Sequence, residues 1–224
     1  MILPTLQYIT HPQEDFTNFS WLHRLGENGV KWVQLRIKES DFEKRFPKEH
    51  YKARFLEIAE QMKVICDHFN MILTLNDHAE LLTFIDVSGI HVGMEDENPA
   101  KIREKIGTEK IVGATANSFE ELTSYPIDSI TYFGVGPLRL TKTKEKLKPI
   151  LGFEGYVSLV SALKEKGISQ PIYAIGGIKE ADISELLSIG IHGIALSGLL
   201  FDHQHSTEKI KEIVALCATQ PIKE

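Results

Sequence analysis

Ile130-Thr131-Tyr132-Phe133-Gly134-Val135-Gly136-Pro137-Leu138-Arg139-Leu140-Thr141-Lys142-Thr143-Lys144 reads as a buried strand running into an anion-binding turn. Ile130 to Phe133 is rich in β-formers and short enough for a strand. Gly134 and Gly136 are expected to let the backbone turn and lie close to a ligand. Pro137 fixes the bend and withholds one donor. Two hydroxyls and two ammonium groups then fall within four residues. Free backbone amides, hydroxyls and a lysine are what a phosphate needs. Taken alone, the stretch reads equally well as a solvated loop, and the rest of the chain decides.

The same form, an apolar strand ending in glycine or polar residues, recurs along the sequence. Leu6 to Thr10, Trp32 to Lys38, Met71 to Leu75, Ser88 to Gly93, Ile111 to Thr115, Pro171 to Ile178 and Gly193 to Gly198 are the other strand candidates. Between them lie helical patterns at Phe19–Gly29, from Pro47 to about Phe69, on to Phe84, around Ile102, Phe119–Leu122, Gly155–Lys166, Ala181–Ser188 and Ser206–Leu216, with a charged loop from Glu39 to Phe46. Eight uninterrupted apolar strands alternating with helices imply a parallel sheet. In one chain of 224 residues they imply a single (β/α)8 barrel domain over residues 1–224, with a doubly wound open sheet as the alternative.

Composition agrees. With 42% hydrophobic residues the chain can bury a large core, and a formal net charge of -6 argues against nucleic acid as a partner. Cys66 and Cys217 stand far apart in helical contexts and read as core residues of a reducing compartment. No signal segment and no apolar run of membrane length is visible. A cytoplasmic protein acting on small molecules is expected; no feature of the sequence sets its oligomeric state.

The unusual polar residues fall at the C-terminal ends of the strands, the functional face of such barrels. Gln34, Arg36 and Lys38 share one face of the second strand by period two. Two cations there need partners: either an ion-pair network with Asp77 or Asp96, or a bound polyanion. Asn76 and Asp77 end the third strand and Asp96 follows the fourth. Two carboxylates beside a polyanion fit magnesium, whereas Asn76-Asp77 alone would be a turn or helix cap. Gly176-Gly177 and Ser197-Gly198 end the last two strands, where a phosphate site built from backbone amides is common. Two anion sites result. One is cationic and metal-assisted: Arg36, Lys38, Asn76, Asp77, Asp96 and Lys144. The other is made of hydroxyls and backbone: Thr141, Thr143, Gly177 and Ser197. A diphosphate in the first and a monophosphate in the second suggest a joining reaction that releases diphosphate. No nucleophile with a paired base is visible, and His91 reads as an ordinary strand residue.

From Gln7 to about Leu200 the chain resembles the thiamine-phosphate synthase family. The motifs that carry the resemblance are Gln34-Leu35-Arg36-Ile37-Lys38, Leu75-Asn76-Asp77, His91-Val92-Gly93-Met94-Glu95-Asp96, Gly134-Val135-Gly136-Pro137, Thr141-Lys142-Thr143-Lys144, Ala174-Ile175-Gly176-Gly177-Ile178 and Gly193-Ile194-Ala195-Leu196-Ser197. Each is weak, but together and in this order they are specific. The resemblance implies condensation of hydroxymethylpyrimidine diphosphate with hydroxyethylthiazole phosphate, with magnesium as cofactor. Arg36, Lys38, Asn76 and Lys144 would hold the diphosphate and Asp77 and Asp96 the metal. Gln34 and Thr115 would bond the aminopyrimidine, and Thr141, Thr143, Gly177, Leu196 and Ser197 would line the thiazole-phosphate site. Four positions depart from the family pattern: Thr115 replaces serine, Asn117 stands where histidine is common nearby, Met94 replaces glutamine, and Arg139 replaces an apolar or aromatic residue. Arg139 reads either as a further phosphate contact or as a surface ion pair. A sister group, the thiazole tautomerases, typically carries a catalytic histidine where this chain has Pro137 and lacks the intact Thr-Lys-Thr-Lys run. A non-catalytic phosphate-binding barrel would not need both aspartates.

Overall fold

The computed structural model describes residues 2–46, 49–140 and 149–218. Its strands are β1 (Leu6–Ile9), β2 (Trp32–Leu35), β3 (Ile72–Asn76), β4 (Gly89–Val92), β5 (Ile111–Ala116), β6 (Tyr132–Val135), β7 (Ile172–Ile175) and β8 (Gly193–Leu196). They pair in chain order, all parallel, and β8 returns to β1 with Leu6 opposite Ile194. The sheet is therefore a closed eight-stranded barrel and not the open, doubly wound alternative.

Around it, among the described residues, run α1 (Ser20–Glu27), α2 (Glu39–Arg45), α3 (Tyr51–His68), α4 (Pro99–Ile106), α5 (Phe119–Ser124), α6 (Gly152–Glu165), α7 (Ile183–Ile189), α8 (Gly198–His203) and α9 (Thr207–Ala218). Local chemistry sets several of their ends. Asn98 caps α4 by accepting from the Ala100 amide, with Pro99 in the first turn. The Ser118 hydroxyl caps α5 by accepting from the Glu121 amide. Along α3, Phe55, Ile58, Ala59, Met62 and Cys66 form one buried stripe against the barrel. Each large apolar side chain so buried contributes about 1.5–3 kcal/mol. Cys66 and Cys217 are free and buried, and burial pushes both thiols up to about 12, which suits packing and not chemistry.

The barrel interior is filled. Trp32, Tyr132 and Tyr173 meet edge to face, with ring centroids 4.8, 5.1 and 5.2 Å apart. Room for the rings comes from glycine on the neighbouring strands: a Cβ on Gly113 would stand 2.2 Å from the Tyr132 ring, and one on Gly193 2.5 Å from the Tyr173 ring. The polar tips are satisfied. Trp32 Nε1 donates to Thr74 Oγ1 at 3.1 Å, and the Tyr173 hydroxyl to the Pro4 carbonyl at 2.6 Å. This aromatic layer fills the barrel beneath the site.

Three expectations are corrected. Residues 39–46 are largely helix α2 and not loop: Glu39 and Asp41 occupy its first turn, Lys44 and Arg45 its last, and Phe42 is buried against Phe46 and Tyr51. The next helix starts at Tyr51, and Pro47 lies outside the described residues. Strand β2 ends at Leu35, so Arg36 and Lys38 are not interior residues but stand at the barrel mouth, half-buried. Finally, Gly134 lies within β6, and neither it nor Gly136 has a positive φ. Their missing side chains serve close approach: a Cβ on Gly136 would lie 2.0 Å from the Ile175 carbonyl oxygen.

Candidate active site

A cavity of about 310 Å³ opens at the C-terminal ends of the strands. Seven of the residues assigned a site role from the sequence line it. Gln34 and Arg36 come from the end of β2, Asn76 from β3 and Thr115 from β5; Gly177, Leu196 and Ser197 follow from β7 and β8. The β2–β3 side of the cavity is cationic and amide-rich, and the β7–β8 side is backbone and hydroxyl. Thr141, Thr143 and Lys144 lie outside the described residues.

Lys38, Asp77 and Asp96 line a second hollow of about 390 Å³, beside helix α3. Asn76, which ends β3, lines the first cavity, and its neighbour Asp77 lines this one. Asp77 and His78 both take left-handed backbone, at φ 60° and 45°. That conformation is costly away from glycine and is retained here by specific bonds. The Asp77 amide donates to the His91 carbonyl at 2.8 Å, and the Tyr51 hydroxyl lies 2.7 Å from His78 Nε2. Asp96 is oriented by the Gly93 amide, which donates to Oδ2 at 2.6 Å. Burial first, then the neighbouring Asp96 carboxyl, push Asp77 above its ordinary range, against a smaller opposite pull from Arg36. Among the described residues the ion-pair alternative for Arg36 is present only as this opposing pull on Asp77. Among the described residues no three His, Cys, Asp or Glu side chains converge on a metal site.

At the other side, Gly176 and Gly177 adopt φ 89° and 68°, which only glycine takes freely. A side chain there would also collide with Pro137 and Arg139. Arg139 forms an ion pair: both its Nη atoms bond the Asp182 carboxylate, Nη2 to Oδ1 at 2.8 Å, and its guanidinium carbon lies 5.6 Å from the centroid of the Phe153 ring. Burial alone would raise the Asp182 carboxyl, but the Arg139 fork and the Lys179 amide hold it below its ordinary range.

One contributor went unread in the sequence. His91 lines the cavity with its ring between Tyr132 and Thr115. A signal existed: His91 pairs with Asn76 on β3 and Gly113 on β5, in period-two phase with Thr115, so its side chain had to face inward.

A family model described as thiamine monophosphate synthase matches residues 6–200, the span that contains the barrel and every described site residue. The chain belongs to the thiamine monophosphate synthase family. It is an enzyme, a transferase, and its activity is thiamine-phosphate synthesis. A thiamine-phosphate synthase of Bacteroides thetaiotaomicron is 38% identical over 210 residues, covering 94% of this chain and 96% of that one. Its counterpart in Flavobacterium johnsoniae is 35% identical, covering 93% of each. In fold, a thiamine phosphate pyrophosphorylase from Pyrococcus furiosus superposes with a TM-score of 0.73 at 23% identity, covering 95% of this chain and 96% of that one. In this chain Thr115 keeps the hydroxyl on the cavity wall, and Asn117 turns away from the cavity to donate to the Gly136 carbonyl.

Proposed function

We propose that residues 1–224 act as one barrel domain that joins 4-amino-2-methyl-5-hydroxymethylpyrimidine diphosphate to hydroxyethylthiazole phosphate, giving thiamine phosphate and pyrophosphate. What carries this reading is that one cavity is lined on its β2–β3 side by Arg36 and Asn76 and on its β7–β8 side by Gly177 and Ser197. Two anions held in one cavity of this volume bring their rings face to face.

In this reading Arg36, Lys38, Asn76 and Lys144 hold the diphosphate. Gln34 and Thr115 orient the pyrimidine; Thr141, Thr143, Gly177, Leu196 and Ser197 seat the thiazole phosphate. Asp77 and Asp96 fit a magnesium ion, because a cation held by both would offset the repulsion that raises Asp77 and let both ionise, and two carboxylates would be enough with substrate phosphates as further ligands. When bound, magnesium supplies positive charge to the departing diphosphate. The carbon–oxygen bond to the diphosphate breaks with its electron pair going to oxygen. The ring amine of the pyrimidine supports the cation left behind, and the thiazole nitrogen lone pair forms the new carbon–nitrogen bond. Arg36, Lys38 and Lys144 neutralise leaving-group charge as it grows, so they act on the barrier more than on ground-state binding. Pro137 lines the cavity where the tautomerases carry their histidine, which disfavours isomerisation. The cytoplasm suits two buried free thiols, and among the described residues no helix is long and apolar enough to cross a membrane. Incubation of the purified chain with both substrates and magnesium, with detection of thiamine phosphate, tests the assignment; isomerised thiazole alone would contradict it.

A further inference from the structure

Beneath the cavity a chain of hydrogen bonds runs from the barrel interior to its wall. Gln7 Nε2 and Gln34 Nε2 both donate to the Tyr132 hydroxyl, at 3.0 and 3.4 Å. The same hydroxyl lies 2.9 Å from His91 Nδ1, and His91 Nε2 lies 2.7 Å from Thr115 Oγ1. Tyr132 is wholly buried and burial holds its phenol well above its ordinary range, so it keeps its single proton. With two amides donating to its oxygen, that proton can go only to His91 Nδ1. Nδ1 is therefore an acceptor, the imidazole proton sits on Nε2, and Nε2 donates to Thr115 Oγ1. Thr115 then has its own proton left to offer into the cavity that it lines. Gly134 makes room for this ring, since a Cβ there would lie 3.2 Å from His91 Cε1.

We propose that Tyr132 and His91 are positioning residues that fix Thr115 as a hydrogen-bond donor to the pyrimidine, so that the site selects a ring presenting an unprotonated nitrogen to Thr115. The ligand half of this inference rests on the proposed substrate assignment; the hydrogen-bond chain does not. A ring offering N–H at that point would set hydrogen against hydrogen, and one offering C–H would leave the Thr115 proton unpaired beneath the ring.

The test has two arms. In ligand-free protein labelled with 15N-histidine, with the His91 resonances assigned by their loss in His91→Gln, the chain requires Nδ1 unprotonated and Nε2 protonated. An Nδ1–H form overturns the inference. Tyr132→Phe keeps the ring and removes only the hydroxyl, and must populate the Nδ1–H form. In the second arm, affinity is measured for the pyrimidine diphosphate and for its two analogues with one ring nitrogen replaced by CH. Wild type should bind one analogue at least tenfold more weakly. The gap should shrink below threefold in His91→Leu and persist in His91→Gln, whose amide can accept and donate in the same places. A gap unchanged in a folded His91→Leu also overturns the inference. If wild type binds none of the three, the substrate assignment has failed, and the 15N spectrum decides the hydrogen-bond chain by itself.

Discussion

Arg139 forks onto Asp182 and so ties the chain leaving β6 to the turn after β7. The Arg139 side chain is 39% exposed, but that of Asp182 is only 9% exposed. An exposed pair contributes roughly 0.2–1 kcal/mol, whereas a largely buried carboxylate left alone costs about 1–3 kcal/mol. Arg139→Ala should therefore lower the melting temperature by a few degrees. It should also raise the KM for the thiazole phosphate several-fold, because the Gly177 turn loses its brace, while the KM for the pyrimidine diphosphate stays put. Arg139→Lys should restore little, since a point charge cannot fork. Unchanged melting and kinetics in both variants would make the pair ornamental.

Asp77 and Asp96 come from successive strand ends, so they can clamp one ion without moving a helix. Chelation should abolish turnover reversibly. Asp96→Asn keeps the acceptor for the Gly93 amide but removes a charge, so activity should fall and recover in part as magnesium is raised; Asp96→Ala should recover less. If both carboxylates are structural only, the variants will change melting temperature while the magnesium dependence of the remaining activity stays as in wild type. A magnesium titration and a melting curve on the same two proteins separate these outcomes.

Glu14 is fully buried, accepts from the Tyr8 hydroxyl and leaves its other oxygen without a partner; burial, outweighing that bond, pushes its carboxyl up to about 7. The folded pKa is above the unfolded one, so this group's stability is fully present below the unfolded value near 4.5 and is lost as pH rises through 7. The span is on the order of 3 kcal/mol. Glu14→Gln should remove the dependence. Wild type should lose several degrees of melting temperature between pH 5 and pH 8 relative to the variant. Parallel curves across that range would mean that Glu14 is ionised throughout.

The parallel sheet was legible because each strand is a short apolar run between helical patterns, as strands buried on both faces are; only the pairing of β8 with β1 decides for the barrel over the open sheet. The cavity wall was legible where residue type and strand end coincide: Asn76, Gly177 and Ser197 line it, whereas Thr115 was pointed to only by the family resemblance. Helix α2 was hidden because its single buried anchor, Phe42, gives no period, and its charges suggested a loop. The end of β2 was hidden because alternation continues through Lys38 although pairing stops at Leu35. His91 was missed because a lone histidine on a strand is usually core; its part depends on Tyr132 and Thr115, which are 41 and 24 residues away and meet it only on closing the barrel.

The central claim is that one cavity holds two different anions so that their rings react. Two-substrate kinetics on Ser197→Ala and Arg36→Ala, measured side by side, test it most directly. Ser197→Ala should raise the KM for the thiazole phosphate and leave that for the pyrimidine diphosphate near wild type. Arg36→Ala should do the reverse and also lower kcat, because the charge that it meets grows in the transition state. The same kinetic profile in both variants would contradict the account.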